Sequence, residues 1–286
     1  MSDAYMGNTE LGSSKATLIS NMVQKELAFS AILRGTVSDV SQYAIKGVKT
    51  ISFPKLTSFT VGNRTEGVLG ETQALTASVD SLNLDINAYA SWAVDSFTAK
   101  QITIDGQLES IRLASSSMGR FVDTQVIAKL VAGAASFINV GTDADVTYAN
   151  LLAMRKTLLK ADANLADCVI IASPAQEAVL MGLAEFKDAA AYGANAVVPS
   201  GVIGKILGMP IYVHNGLSDK QLFMYEKSAI AIGFSKEAEY GSQPFIELGV
   251  GAERSAIDMY FGLAVMQQGL KGAASGKCPL IVGLND

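Results

Sequence analysis

Residues 105–134 predict one long amphipathic helix, around which the rest of the chain must be arranged. Asp105 is suited to the N-cap, where a carboxylate accepts from free amide groups, and Gly133 is suited to the helix end. At 1.5 Å per residue such a helix is about 45 Å long, whereas ~11–12 residues is the usual length. Apolar residues recur in it at steps of three and four, which places them on one face: Leu108, Ile111, Ala114, Met118, Phe121, Val122, Val126 and Leu130.

The chain carries little charge for its size. Of its 286 residues, 49% are hydrophobic and only 17% are charged, whereas an average globular protein has about 25% charged residues. Surfaces that are buried against partner subunits are depleted in Lys, Glu and Asp. The composition therefore predicts extensive contacts between subunits.

Several classes of protein are disfavoured by simple features of the sequence. No stretch approaches the ~18 apolar residues of a membrane helix, and residues 1–10 lack the pattern of a secretory signal. The net charge of −5 gives no reason to expect strong attraction to nucleic acid. Cys168 and Cys278, the only cysteines, are predicted to be reduced, buried and unreactive.

The N-terminal part of the chain predicts an arm followed by a helix. Residues 1–12 are polar and form the mobile arm. Ser13 or Ser14 can cap a helix that runs to about Leu33, where Gly35 ends it.

A long β-hairpin is predicted to come next. A strand at residues 51–53 is ended by Pro54, strict alternation predicts a second strand at 79–88, and a third follows at 91–97. The connection at 58–78 is rich in glycine and longer than the ~12–15 residues usual for a loop without function. Because an isolated hairpin is marginal in water, this one must lie on its own domain or on a neighbouring subunit.

The second half of the chain predicts a mixed α/β arrangement. A helix at 147–160 precedes a buried strand at 168–172, and Ser173 and Pro174 open a helix to about residue 185. Residues 189–200 predict a loop of small residues. Further strands are predicted at 202–207, 211–214, 222–225, 229–234, 245–248, 256–267 and 279–282.

The sequence predicts no catalytic, cofactor or metal site. His214, the only histidine, precedes Asn215 and Gly216 at a strand end, which favours a hydrogen-bonded turn residue over a general base. One histidine and two distant cysteines make no ligand set with usable spacing. The glycines at 201–204 and 249–251 lack the spacing of nucleotide-binding loops.

The order of these elements and four local motifs resemble the major capsid proteins of tailed bacteriophages, which have the Hong Kong 97 fold. The helix at 18–27 is similar to the family's N-terminal helix, and residues 81–95 are similar to the returning strand of its extended loop. The strand at 168–172 with Ser173 and Pro174, followed by 206–213, resembles its axial domain.

The resemblance implies an α+β fold with four parts. These are an N-terminal arm and helix at 1–46, an extended loop at 47–100, a peripheral domain at 101–160 and 250–286, and an axial domain at 161–249. The long helix becomes the spine of the peripheral domain. The extended loop is expected to lie over an adjacent subunit.

The resemblance also implies a function and partners. It predicts a structural protein without enzymatic activity that self-assembles as hexamers and pentamers into an icosahedral shell. The shell encloses double-stranded DNA without sequence-specific binding, is assembled in the host bacterial cytoplasm, and involves no membrane or cofactor. A separate scaffolding protein is an expected partner, because only about a dozen residues precede the first helix. The resemblance implies a portal and a decoration protein as further partners.

The loop tip yields two narrower expectations. Residues 60–78 hold no lysine, so a shell without covalent cross-links is predicted. Arg64, Glu66 and Glu71 are charges in a segment otherwise poor in them, and we expect them to make contacts between subunits. Two alternatives stay open from sequence: an encapsulin-like compartment shell, and a soluble α/β binding protein or enzyme with the hairpin as a lid.

Overall fold

The computed structural model of the protein describes residues 22–23, 25–27, 31–56, 61–63, 66, 77–94, 106–139, 145–183, 204–248, 252–268 and 273–285. The predicted arm, the predicted loop at 189–200 and most of the hairpin tip lie outside these residues, and so does Asp105.

The predicted long helix is present as α1 (Gly106–Gly133). One face of α1 packs into the main hydrophobic core through Ile111, Met118, Val122, Val126 and Leu130. The prediction is wrong for Leu108 and Phe121, which are 42% and 38% exposed. Leu108 lies in the first turn, and Phe121 lies at the border of the buried stripe, where its ring meets Phe261 edge to face.

Gly133 ends α1 as predicted, but for a different reason. Its φ is not positive, so it is no left-handed cap. A Cβ at this position would lie 2.7 Å from Val265 Cγ2, closer than van der Waals contact allows. Gly133 therefore lets α1 approach the neighbouring strand closely before the next strand begins at Ala134.

Two shorter helices follow, and the cap of the second one is the predicted Ser173. In α2 (Tyr148–Lys160) the Thr147 side chain accepts from the Asn150 N–H, and in α3 (Pro174–Gly182) the Ser173 side chain accepts from the Gln176 N–H. Proline is the first residue of α3, where its missing N–H costs nothing. α3 ends at Gly182, slightly before the predicted end.

The strands of the described residues form three sheets. They are β1 (Ser38–Asp39), β2 (Thr50–Leu56), β3 (Ala77–Asn83), β4 (Ile86–Val94), β5 (Ala134–Asn139), β6 (Cys168–Ala172), β7 (Lys205–Ile206), β8 (Met209–Val213), β9 (Leu222–Glu226), β10 (Ile230–Pro244), β11 (Glu253–Val265) and β12 (Cys278–Asn285).

The largest sheet has the strand order β5-β12-β9-β6-β8-β7. β5 is parallel to β12 and β6 to β8, and the other neighbours are antiparallel. Every residue of β6 is buried, as expected for a continuous apolar strand at the centre of a sheet. This sheet draws strands from both predicted domains, and the domain boundaries stay a prediction.

A second sheet has the order β1-β10-β11-β4 and carries the longest strands. β10 and β11 form an antiparallel hairpin from Ile230 to Val265 with two register shifts. The predicted strand at 245–248 is wrong, because these residues form the turn of this hairpin, with a 3₁₀ turn at Ile246–Leu248.

The predicted hairpin consists of β2 and β3, paired from Thr50↔Asn83 to Leu56↔Ala77. β2 continues through Pro54, which the sequence expected to end it; β2 pairs with β3 alone, and proline is tolerated on such an edge strand. The predicted strand at 79–88 is also wrong as one element. It breaks at Leu84 and Asp85, so that β3 serves the hairpin and β4 joins β11.

The N-terminal helix does not run to Leu33 as predicted. The described residues between 22 and 27 are helical, but Ala31 and Ile32 are not, and a 3₁₀ turn follows at Leu33–Thr36. The Ala31 N–H still donates to the Leu27 carbonyl. The next two N–H groups are taken by a carboxylate of α1.

Candidate assembly site: the spine junction and the hairpin base

That carboxylate belongs to Asp123, which is fully buried in the middle of α1. Its two oxygens accept from the backbone N–H groups of Ile32 and Leu33, each at 3.0 Å. Burial raises the pKa of Asp123, opposed by the Leu33 hydrogen bond, the electrostatic interaction with His214 and the Ile32 hydrogen bond. Sequence reasoning missed this residue, although an aspartate beside Val122 on an apolar stripe was a usable signal.

His214 provides the third contact of the same carboxylate. Its Nδ1 accepts from the Gly216 N–H at 2.9 Å, so this nitrogen carries no proton. The other ring nitrogen, Nε2, lies 3.4 Å from Asp123 Oδ2. The Gly216 contact bears out the prediction that His214 is a hydrogen-bonded turn residue.

A buried pair of hydroxyl groups, from Thr36 and Tyr225, lies close to the contacts of Asp123. Thr36 donates its hydroxyl proton to the Leu33 carbonyl at 2.7 Å, so the Tyr225 hydroxyl is the donor in their 2.5 Å contact. Burial raises the pKa of Tyr225. We call Asp123, His214, Thr36 and Tyr225, with the backbone of Ile32 and Leu33, the spine junction. Its polar groups are occupied in holding three parts of the chain together: the N-terminal segment, α1 and the six-stranded sheet.

The base of the hairpin is fastened by a second polar cluster. Lys55 Nζ lies 2.8 Å from Asp80 Oδ1, pairing β2 with β3. Asp80 Oδ2 accepts from the Gln267 N–H at 2.6 Å, and Lys55 Nζ donates to the Gln268 carbonyl at 2.9 Å. Only 7% of the Asp80 side chain is exposed, so this ion pair is largely shielded from water. We call these four residues the hairpin clasp.

An apolar layer lies beside the clasp. Ile51 and Leu82 from the hairpin pack with Ala231 and Ala264 of the four-stranded sheet in a small second core. The hairpin base thus rests on its own subunit. The side chain of Val79 on β3 is exposed, and Val61 at the tip is 93% exposed.

Large apolar side chains are exposed at other places on the subunit too. They include Ile45, Tyr89, Leu113 and Ile246, from four separate segments of the chain. Scattered exposed apolar residues are ordinary, but a set of large ones on a chain poor in charge is typical of surfaces that meet partners. Of the three predicted contact residues, Glu66 is exposed. Arg64 and Glu71 lie outside the described residues.

Groups suited to catalysis or metal binding are not brought together in the described part of the chain. No group of three or more His, Cys, Asp or Glu residues there can hold a metal ion. Cys168 and Cys278 are buried, and burial raises the pKa of each thiol to about 11, so few thiolates form at neutral pH. None of the described helices is both long and apolar enough to cross a membrane.

The α+β fold with its long spine, fastened hairpin and exposed apolar surfaces defines a structural, self-associating subunit. The family model of phage capsid protein matches residues 23–243. The chain belongs to this family, and it is a structural capsid protein and no enzyme. No protein of curated function matches it in sequence.

Solved structures share the fold at low sequence identity. The structure of Mycobacterium phage Che8 has a TM-score of 0.72 at 17% identity, over 89% of this chain and 91% of that one. The capsid of Cyanophage P-SCSP1u has a TM-score of 0.70 at 11% identity, over 89% of this chain and 87% of that one. A virus-like particle from Pyrococcus furiosus has a TM-score of 0.61 at 9% identity, over 95% of this chain and 99% of that one. The predicted major capsid protein with a Hong Kong 97-type fold is confirmed by family and fold.

Proposed function

We propose that this major capsid protein assembles as hexamers and pentamers into an icosahedral shell around double-stranded phage DNA. The observation that carries the proposal is the hairpin, because it is fastened to its own subunit by the hairpin clasp and carries exposed apolar residues, among them Val61 and Val79. A hairpin supported only at its base is marginal in water. A neighbouring copy is the partner that supports the remainder.

Assembly through repeated weak contacts also fits the composition. Only 17% of residues are charged, and depletion of charge is typical of surfaces buried between subunits. A net charge of −5 leaves the chain without overall attraction to DNA, which fits enclosure without sequence-specific binding. A scaffolding protein, a portal and a decoration protein remain the proposed partners, and the host cytoplasm the proposed place of assembly.

A second candidate is a compartment shell that holds protein cargo. The likeness to the virus-like particle from Pyrococcus furiosus over 95% of the chain supports it. The two candidates share the assembly chemistry and differ in contents.

Electron microscopy of the full chain, produced alone and together with its neighbouring genes, tests the proposal. We expect closed polyhedral particles, or rings of five and six subunits, with nuclease-protected DNA when the packaging genes are present. Particles filled with protein would favour the compartment. A compact monomer or dimer under every condition would refute both and return attention to the surroundings of His214.

A further inference from the structure

We infer that a platform of four small residues, with Gly262 as its critical member, fixes the direction in which the hairpin leaves the subunit. The effect of that direction on a shell rests on the proposed function. The direction itself follows from the geometry of the subunit and does not depend on that function. We call Ala231, Gly233, Gly262 and Ala264 the platform.

The platform occupies two alternate residue pairs of the β10–β11 ladder, with the pair Ile232↔Leu263 between them. Ala231 pairs with Ala264, and Gly233 pairs with Gly262. Residues two apart on a strand share a face, so all four lie on the same face of the four-stranded sheet. β3 crosses this face, because Leu82 packs with Ala231 and Ala264 and lies 3.5 Å from the position of a Cβ on Gly233.

Gly262 lies where the hairpin leaves the sheet. β11 pairs with β4 up to Phe261↔Ile86, and the chain between β4 and β3 then passes directly over Gly262. A Cβ there would lie 2.0 Å from the Asn83 carbonyl oxygen and 3.0 Å from Leu84 Cα. Both are backbone atoms of the hairpin, so a methyl group cannot be accommodated by a rotamer change.

Gly262 is required for space and not for an unusual backbone angle, since its φ is not positive. Non-bonded heavy atoms need more than ~3 Å of separation, so a side chain at position 262 pushes Asn83 outward by about an ångström. Gly233 on the same rung differs. A Cβ there would meet only side-chain atoms, of Leu82, Val40 and Leu84, at 3.5–3.6 Å, which is ordinary contact.

The hairpin clasp supplies the second fixed point. Asp80 lies on the same strand as Asn83, three residues along, and is held by the Gln267 N–H and by Lys55. At ~3.3 Å per residue the two points are about 10 Å apart. Two fixed points on one strand set its direction. A displacement at Asn83 with Asp80 held therefore tilts β3 and everything beyond it.

Three alanine variants of the full chain separate direction from stability. Gly262→Ala crowds the hairpin backbone. Gly233→Ala adds the same methyl group on the same rung without crowding. Gly283→Ala crowds the rings of Phe137 and Phe223 at 2.6–2.8 Å, far from the hairpin in the six-stranded sheet, and so controls for loss of stability alone.

The direction itself is measured on the unassembled subunit. Spin labels on Val61→Cys and Leu113→Cys, two exposed sites at the hairpin tip and on α1, report the distance between hairpin and spine by pulsed electron paramagnetic resonance. The native cysteines are buried and leave the labels specific. We expect a shifted distance for Gly262→Ala and an unchanged one for Gly233→Ala and Gly283→Ala.

Electron microscopy of the same variants shows how the direction of the hairpin affects the assembled particles. We expect aberrant or open particles from Gly262→Ala and normal ones from both controls. An unchanged label distance in Gly262→Ala, or normal particles from it, would overturn the inference. So would the same aberrant particles from Gly283→Ala. If the unsubstituted chain forms no shell, the proposed function fails, while the label distance still decides the inference.

A variant of the clasp keeps the test decisive if Gly262→Ala does not fold. Asp80→Asn keeps the size of the side chain and removes the charge that pairs with Lys55. We expect a broadened label distance, because one of the two fixed points is weakened. A distance distribution identical to that of the unsubstituted chain would overturn the inference.

Discussion

Asp123 and the two cysteines are buried ionisable groups with different surroundings. The Asp123 carboxylate meets two backbone N–H groups and a histidine, which offsets much of the cost of burying it. Cys168 and Cys278 are held in the neutral form, because burial raises the pKa of each to about 11. The thiols therefore affect stability only in alkali.

We predict that the free energy of unfolding falls as the pH rises from about 9 through about 11. Below pH 9 both states keep their thiols protonated. Above it the unfolded chain releases the protons first, so alkali favours unfolding, by about 1.4 kcal/mol for each unit of pKa difference. Urea unfolding of the unassembled subunit across this range measures the loss.

The variant carrying Cys168→Ala and Cys278→Ala is the control. Its stability should depend less steeply on pH over the same range, because only other groups such as Tyr225 remain to titrate. Equal slopes for both proteins would contradict the prediction.

At the scale of elements, α1 connects the other parts of the subunit. It packs on β4, β11 and β12 and on the 3₁₀ turn at Leu33–Thr36. Gly119 lies buried in the middle of α1, four residues before Asp123. A break at this position separates the first half of the helix from the spine junction.

Gly119→Pro is therefore expected to block assembly. Proline removes one helical hydrogen bond and clashes with the preceding turn, at a cost of ~3 kcal/mol or more. The measurement is particle yield by electron microscopy, together with helix content by circular dichroism. Ser117→Ala, at an exposed position of the same helix, is the control and should assemble normally. Normal particles from Gly119→Pro would show that assembly tolerates a broken spine.

Periodicity predicted the helices and most strands, because these patterns are local. It failed where a distant group decided the outcome. The N-terminal helix ends early because Asp123, about 90 residues away, takes the N–H groups of Ile32 and Leu33. The alternating run at 79–88 serves two sheets because the chain changes partners where it crosses Gly262.

The candidate site was predictable to a similar degree. The turn role of His214 followed from Asn215 and Gly216, which are its neighbours in sequence. Its contact with Asp123 joins residues far apart in the chain, and no local pattern encodes such a pair. The fastening of Asp80 to Gln267 is of the same kind.

At the scale of the whole molecule, the tip of the hairpin is the part expected to meet the neighbouring copy. Glu66 is exposed there, and Arg64 and Glu71 are its neighbours in sequence. Exposed ion pairs contribute only ~0–1 kcal/mol each. A shell repeats each contact many times, so small contributions become a property of the particle.

The variant with Arg64→Ala and Glu66→Ala is expected to form shells with lower yield and lower resistance to heat. The difference should shrink at high salt, because ions screen exposed charges. Particle yield and the temperature of shell disruption are the measurements, with Thr65→Ala as the neutral control from the same segment. Unchanged yield and heat resistance would contradict the prediction.

The spine junction also has a consequence for the kinetics of folding. Asp123 is separated in sequence by 90 and 91 residues from the N–H groups that it binds on its N-terminal side. His214 is about as far from it in sequence on the C-terminal side. Contacts of such sequence separation form late, because closing long loops costs entropy before the contact repays it. We therefore expect a newly made chain to complete its spine junction late, so that folding precedes polymerisation.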